Sequence, residues 1–212
     1  MLEPGDLVID AGAYKGGYTY WMRDAVGATG RVIAFEPQPE LAAFLQRMVA
    51  AFLWDNVQVE PVGLSSGRGA RTLFVPGAGA SQRASLEWER EGARAYDVAL
   101  ISLDDYAADH LGRRPVALVK CDVEGLELDV FRGARRIVEA YRPLLLFECE
   151  ARHAPGRSVR EVFEHLETSG YAGSFFLDDE LVPVKDFRPA VHQVPGRRPY
   201  VNNFVFVPDA RR

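Results

Sequence analysis

In the stretch LVKCDVEGLE, Leu118 to Glu127, ionisable side chains fall at every second position on the end of an apolar run: Lys120, Asp122 and Glu124. An extended chain alternates its side chains across a sheet, so these three share one side while Cys121 and Val123 face the other. A run this apolar belongs to a buried strand, where an unpaired charge is costly. The charges therefore either pair with one another or open onto a crevice. In the first case Asp122 caps the helix that follows, and Glu124 and Glu127 favour its positive end. In the second, Asp122 or Glu124 takes the proton of a reacting hydroxyl, and Lys120 orients that carboxylate or holds the substrate oxygen. A divalent cation held by Asp122 and Glu124 would lower the hydroxyl's pKa instead. Two carboxylates without a third clear ligand do not establish a metal site, and the metal stays unassigned.

The next apolar run ends in a similar way. In FECEARH, Glu148 and Glu150 alternate and His153 follows. A histidine beside a crevice is a candidate base because its ordinary pKa is about 6.5. Glu148 ranks above it, since a carboxylate at the end of an apolar strand is harder to explain structurally. Asn202 and Asn203, before the last apolar run, are weaker candidates that the start of a strand would explain.

A further candidate is the turn in VIDAGAYKGGYTYW, Val8 to Trp21. Gly12 and Gly16 or Gly17 let the chain turn tightly and present bare N–H groups, at a helix N-terminus, to a negative ligand group. Glu36 closes the second apolar run about where a carboxylate would take the hydroxyls of a ribose. Together they suggest a nucleoside cofactor, either a nicotinamide dinucleotide or S-adenosylmethionine. The dinucleotide fingerprint needs glycine at the middle of the turn so that the backbone can approach a pyrophosphate. Tyr14 stands there and would crowd it, whereas S-adenosylmethionine offers only an amino acid carboxylate.

The elements that must position these groups follow from periodicity. Residues 6–11, 31–37 and 57–65 read as strands and 18–27 and 39–56 as helices. This β-α-β-α-β alternation predicts a parallel sheet with helices on both faces, where ligands bind beyond the carboxyl ends of the strands. An insertion at 66–106, a surface loop or a lid, holds two short strands around TLFV and VALISL. Trp88 and Tyr96 within it are candidates to line an acceptor pocket. The alternation resumes with strands at 116–123 and 143–150 and helices at 126–141 and 158–170, and two further strands close the chain.

The 212 residues are 48% hydrophobic and 26% charged, as expected of one globular domain spanning 1–212. A formal charge of −5 and a pI near 5.5 argue against a protein that binds nucleic acid through phosphate neutralisation. The basic clusters at 132–136 and 195–200 read as solvated surface. Cys121 and Cys149 have no zinc-ligand spacing and read as small buried hydrophobes in a reducing compartment. The N-terminus lacks a signal-peptide pattern and no run suits a membrane span, so a cytoplasmic location is expected and no membrane partner. Oligomeric state stays open.

Taken in order, VIDAGAYKGGYT, AFEPQPE, VGLSS, SLDDY and LVKCDVEGLELDVFRGA resemble the FkbM family of S-adenosylmethionine-dependent methyltransferases. The resemblance runs from about Gly5 to Phe147 and more loosely to the end, and KCDVEGLE is its most specific element. It implies a class I methyltransferase fold, a Rossmann-like three-layer α/β sandwich whose mostly parallel seven-stranded sheet has its last strand antiparallel. It also implies O-methylation of a hydroxyl on a sugar, polyketide or related small metabolite. On that reading Asp10, Gly12, Ala13, Tyr14 and Gly16 receive the methionine end, Glu36 with Pro37 the ribose, and Gly63, Leu64 and Ser65 the adenine edge. Asp122 and Glu124 lie where cofactor and substrate meet, and Lys120 and Glu148 stand beside them as the further catalytic candidates read from the residues. Tyr14 departs from the asparagine common in the family, and the chain begins close to its first strand. The rival readings are a nicotinamide-dependent oxidoreductase and a non-catalytic relative that binds cofactor or sugar.

Overall fold

The computed structural model describes residues 2–76, 93–153, 156 and 158–209. In chain order the strands are β1 (Leu7–Ala11), β2 (Arg31–Phe35), β3 (Val57–Glu60), β4 (Gly63–Leu64), β5 (Gly69–Val75), β6 (Arg94–Ile101), β7 (Val116–Cys121), β8 (Leu144–Glu148), β9 (Tyr171–Leu177), β10 (Glu180–Pro183) and β11 (Asn203–Pro208). The helices are α1 (Gly17–Val26), α2 (Pro39–Ala51), α3 (Leu103–His110), α4 (Glu127–Arg132), α5 (Arg135–Tyr141), α6 (Val159–Thr168) and the short α7 (Pro189–His192).

Eight strands form the main sheet in the order β10-β9-β11-β8-β7-β1-β2-β3. β3, β2, β1, β7 and β8 are parallel, and β11 runs antiparallel to both β8 and β9. β1 is buried along its whole length because both its faces are covered, and Asp10 is its single ionisable residue. Its Leu7, Ile9 and Ala11 join the larger core with Phe131, Phe147 and Phe163 beneath α4, α5 and α6. Val8 faces the other way, toward Met22 and Val26 of α1 and Trp54. The chain leaves β1 for β2 on one side and later returns as β7 on the other, so the strand order reverses at the β1/β7 boundary. A crevice forms at such a boundary.

Several expectations need correction. The seven expected strands are present with β11 antiparallel, but β10 adds an eighth. It folds back on β9 through a two-residue turn at Asp178 and Asp179, whose φ of 47° and 67° match the hairpin turn that follows strand twist. The strand expected at 57–65 divides. Its first part, β3, lies in the main sheet and its last part, β4, joins β6 and β5 in a separate three-stranded sheet. The helix expected at 126–141 breaks into α4 and α5 at Gly133, where a Cβ would overlap the carbonyl oxygen of Ser65. The two strands of the 66–106 segment form a longer hairpin than expected, pairing from Gly69↔Leu100 to Val75↔Arg94. Trp88 lies outside the described residues. Among the described residues no helix is long and apolar enough to cross a membrane.

Candidate active site

The glycine turn leaves β1 at Ala11 and closes on β2. Gly12 and Ala13 both donate their N–H groups to the Phe35 carbonyl at 3.0 Å. Gly12 has φ +75°, and a Cβ there would overlap the carbonyl oxygen of Asp122. Only glycine allows that approach, which joins the turn after β1 to the turn after β7. Tyr14 takes the left-handed conformation at φ 51°. This directs its N–H onto Glu36 Oε2 at 2.8 Å, while the N–H of Gln38 meets Oε1 at 2.8 Å. Glu36 is buried, and burial pushes its carboxyl up to about 7 against the pull of those two N–H groups. Each of its oxygens thus has one donor in place and a lone pair to spare for a ligand hydroxyl. At Gly63 a Cβ would press on Leu100 and reach van der Waals distance of Pro37. Leu64 belongs to the core, and the Ser65 N–H donates to the Ile101 carbonyl at 3.0 Å.

Asp10 and Lys120 are opposite one another in the β1/β7 register. Both are buried and point toward α1, where the Thr19 hydroxyl donates to Asp10 Oδ2 at 2.6 Å. Lys120 Nζ lies 3.1 Å from Asp10 Oδ1, an ion pair without the alignment of a hydrogen bond. It donates to the Gly12 carbonyl at 2.8 Å and lies 5.2 Å from the centre of the Tyr18 ring. Burial pulls the ammonium down, but Asp10 and Asp122 outweigh it and hold its pKa above the ordinary value. Lys120 therefore fastens the glycine turn to β7, and its contact with Asp122 Oδ2 is a longer 3.9 Å.

Alternation beyond β7 carries through Asp122 and then stops. Asp122 is half-buried on the Lys120 side, and burial raises its carboxyl. It does not cap the following helix: α4 begins after Leu126 with no side-chain cap, and Glu127 instead accepts the Gly125 N–H at 3.0 Å. Glu124 has φ 54°, so the expected common side with Lys120 is lost and its carboxylate turns to His153, with Oε2 2.7 Å from Nδ1.

Three acidic groups from β8 and β7 converge nearby. Glu148, half-buried, is pushed up to about 8 by burial and by the charges of Asp122 and Glu150. Burial acts on Glu150 too, but hydrogen bonds from Tyr200 and Arg152 prevail and hold it below the usual carboxylate range. Arg152 donates to Glu150 Oε1 at 2.9 Å and Asn202 at 3.3 Å. Asn203 pairs with Glu148 in the β11/β8 register and donates to the Asn202 side chain. Among the described residues no three His, Cys, Asp or Glu side chains are arranged to hold a metal ion. Cys121 and Cys149 are buried free thiols, pushed well up by burial.

A family model described as the methyltransferase FkbM domain matches residues 10–172. The chain belongs to the FkbM methyltransferase family. No curated protein matches it. Among solved structures, the FkbM-family chain is similar to the methyltransferase FkbM from Methylobacillus flagellatus KT, with a TM-score of 0.61 at 17% identity over 96% of this chain and 43% of that one. It is also similar to an SAM-dependent O-methyltransferase from Thermotoga maritima, with a TM-score of 0.51 at 15% identity over 100% of this chain and 62% of that one. An rRNA methylase from Streptococcus thermophilus gives 0.54 at 11% identity over 99% and 90%. The chain thus spans under half the length of the first and under two thirds of the second. At these identities the likeness is one of fold, and the fold is that of class I methyltransferases.

Within this FkbM-family chain the residues proposed from sequence fall into two groups. Asp10, Gly12, Ala13, Tyr14, Gly16 and Glu36 surround the turn after β1, with Pro37 and Gly63 beside it. Asp122, Glu124 and Glu148 lie at the ends of β7 and β8, and Lys120 joins the two groups. Sequence reasoning missed the ties made by Thr19 and Tyr18, and it ranked His153 below Glu148. Nothing local in the sequence pairs Glu124 with His153, because the contact forms only when β7 and β8 become neighbours.

Proposed function

We propose that the protein is an S-adenosylmethionine-dependent methyltransferase acting on a hydroxyl of a small-molecule acceptor. The observation that carries this is the joining of the glycine turn to the Glu36 carboxylate across the ends of β1 and β2, beside the β1/β7 boundary, within a chain of this family. The residues fit the cofactor: beside the turn, Glu36 has one N–H donor on each buried oxygen and a lone pair to spare on each. Glu36 would hold the ribose hydroxyls, and the turn from Asp10 to Gly16 the amino acid end. Gly63 to Ser65 would border the adenine. S-adenosylmethionine, when bound, supplies a methyl group on positively charged sulfur, which departs with the carbon–sulfur electron pair.

The remaining work is positioning, because direct displacement needs the acceptor oxygen in line at near-attack distance. Glu148 keeps its proton near neutral pH and can donate a hydrogen bond to the acceptor, while Asp122 can accept one. Lys120 holds the turn and the Asp122 side together. No divalent cation is assigned a part.

The reading is tested by calorimetric titration with S-adenosylmethionine, S-adenosylhomocysteine and NADH side by side. Binding of the two sulfur nucleosides without NADH is expected, followed by S-adenosylhomocysteine release with members of a panel of monosaccharides, phenols and polyols. Binding of NADH alone would favour an oxidoreductase. Cofactor binding without turnover across the panel would favour a non-catalytic module.

A further inference from the structure

Transfer to a hydroxyl leaves a proton to be removed, and the groups around the β7/β8 ends differ in their fitness for it. Lys120 is buried, charged and committed to Asp10 and the Gly12 carbonyl. Glu150 is committed to Tyr200, Arg152 and Asn202. Glu148 already holds a proton near neutral pH. His153 is different. Its Nδ1 lies 2.7 Å from Glu124 Oε2, and among the described residues nothing hydrogen-bonds its Nε2. Its side chain is 20% exposed, so the ring is held without being sealed.

Two backbone features hold this pair. Glu124 is in the left-handed region at φ 54°, which a non-glycine residue adopts at a cost. Gly125, at φ +107°, has no room for a Cβ because the His153 carbonyl oxygen occupies that space. The loop after β7 is thus pressed onto the turn after β8, and the Glu124 carboxylate lands on Nδ1. The charged groups that face His153 are Glu124 and Asp122 from the β7 side and Glu150 and Arg152 from the β8 side. A ring held by a carboxylate at one nitrogen, with no partner on the other among the described residues, is the arrangement that fixes the tautomer of a base.

We propose that His153 is the general base that removes the acceptor hydroxyl proton through Nε2, and that Glu124 is the residue that positions it. This rests on the methyltransferase reading above. The O–H bond breaks, its electron pair remains on oxygen and forms the new bond to the methyl carbon, and the proton is carried on Nε2 until solvent removes it. The Glu124 carboxylate beside Nδ1 stabilises the imidazolium.

The test uses the full chain, whose 4 histidines permit assignment by NMR with H153Q as the reference. His153 should titrate above its ordinary 6.5, with the neutral ring carrying its proton on Nδ1, and E124Q should lower that midpoint. With acceptors from the hydroxyl panel, H153Q should lose roughly a hundredfold or more in turnover, the scale of general-base catalysis, and keep S-adenosylhomocysteine affinity. The acid limb of the native pH–rate profile, which rises as His153 loses its proton, should move to lower pH in E124Q. A purely structural ion pair would lower the melting temperature and leave that limb in place. His153 titrating below 6.5, or H153Q turning over at the native rate, overturns the assignment and leaves the methyltransferase reading intact. Failure of the native chain to bind S-adenosylmethionine removes both.

Discussion

Lys120 Nζ lies 3.1 Å from Asp10 Oδ1 across the β1/β7 pair, with both side chains at 5% exposure or less. Breaking such a pair by removing one partner leaves an uncompensated buried charge, which costs about 3–5 kcal/mol. Lys120→Met is therefore expected to destabilise the protein by that amount at pH 7, read from urea unfolding. A loss below about 1 kcal/mol, the scale of an exposed pair, would mean that the pair does not hold the turn to β7.

Two glycines of one turn should respond in opposite ways to alanine. Gly12 combines φ +75° with a Cβ position already filled by the Asp122 carbonyl, so Gly12→Ala should cost about 3 kcal/mol or more. Gly17 opens α1 with no atom within 4 Å of its would-be Cβ. Gly17→Ala should gain up to about 1 kcal/mol through reduced freedom of the unfolded chain. Thermal melts of the two variants check the contrast, and equal losses would show that the turn adapts to a side chain.

The contrast also marks what was legible in the sequence. Runs such as Leu7–Ala11 and the amphipathic Pro39–Ala51 announce themselves because burial on two faces or one leaves a periodic signature. Glu36 and the glycine turn stood out because a carboxylate and paired glycines at strand ends break the apolar runs they close. What escaped depends on contacts between segments far apart in sequence. Gly133, where α4 gives way to α5, lies against the Ser65 carbonyl, and Glu124, turned from Lys120, meets His153 from the turn after β8. α3 was missed because its pattern, LDDYAADH, is short, though Ser102 caps it by accepting the Asp105 N–H.

Burial keeps three carboxyls protonated well above the usual range: Glu36 and Glu127 at about 7 and Glu148 at about 8. For each, the folded pKa exceeds the unfolded one, so between them the native state binds more protons. Stability should fall as pH rises from about 4.5 to about 8 and level off above. Asp122 and His153, both raised, act in the same sense; His165, held below its ordinary 6.5 by burial, opposes them, and Glu150, lowered, acts only below about 4.5. Urea midpoints at pH 5, 6.5 and 8 check the slope, and Glu127→Gln, which removes one buried carboxyl, should flatten it.

Glu36 ties the cofactor reading to a measurable proton. Without ligand its carboxyl is pushed up to about 7 by burial, with Tyr14 and Gln38 supplying one N–H to each oxygen. Hydroxyl donors arriving at the remaining lone pairs favour the ionised form, which lowers the pKa on binding. Affinity for S-adenosylhomocysteine should therefore rise with pH through about 7 and flatten above it, and binding near pH 6.5 should release protons, seen as a calorimetric enthalpy that depends on the buffer. Glu36→Gln should abolish both effects. Glu36→Ala should weaken binding by about 1.5–3 kcal/mol, the range for hydrogen bonds to a charged group. A folded Glu36→Ala variant with native affinity would remove Glu36 from the cofactor site, and its burial would then have to be explained by the Tyr14 turn alone.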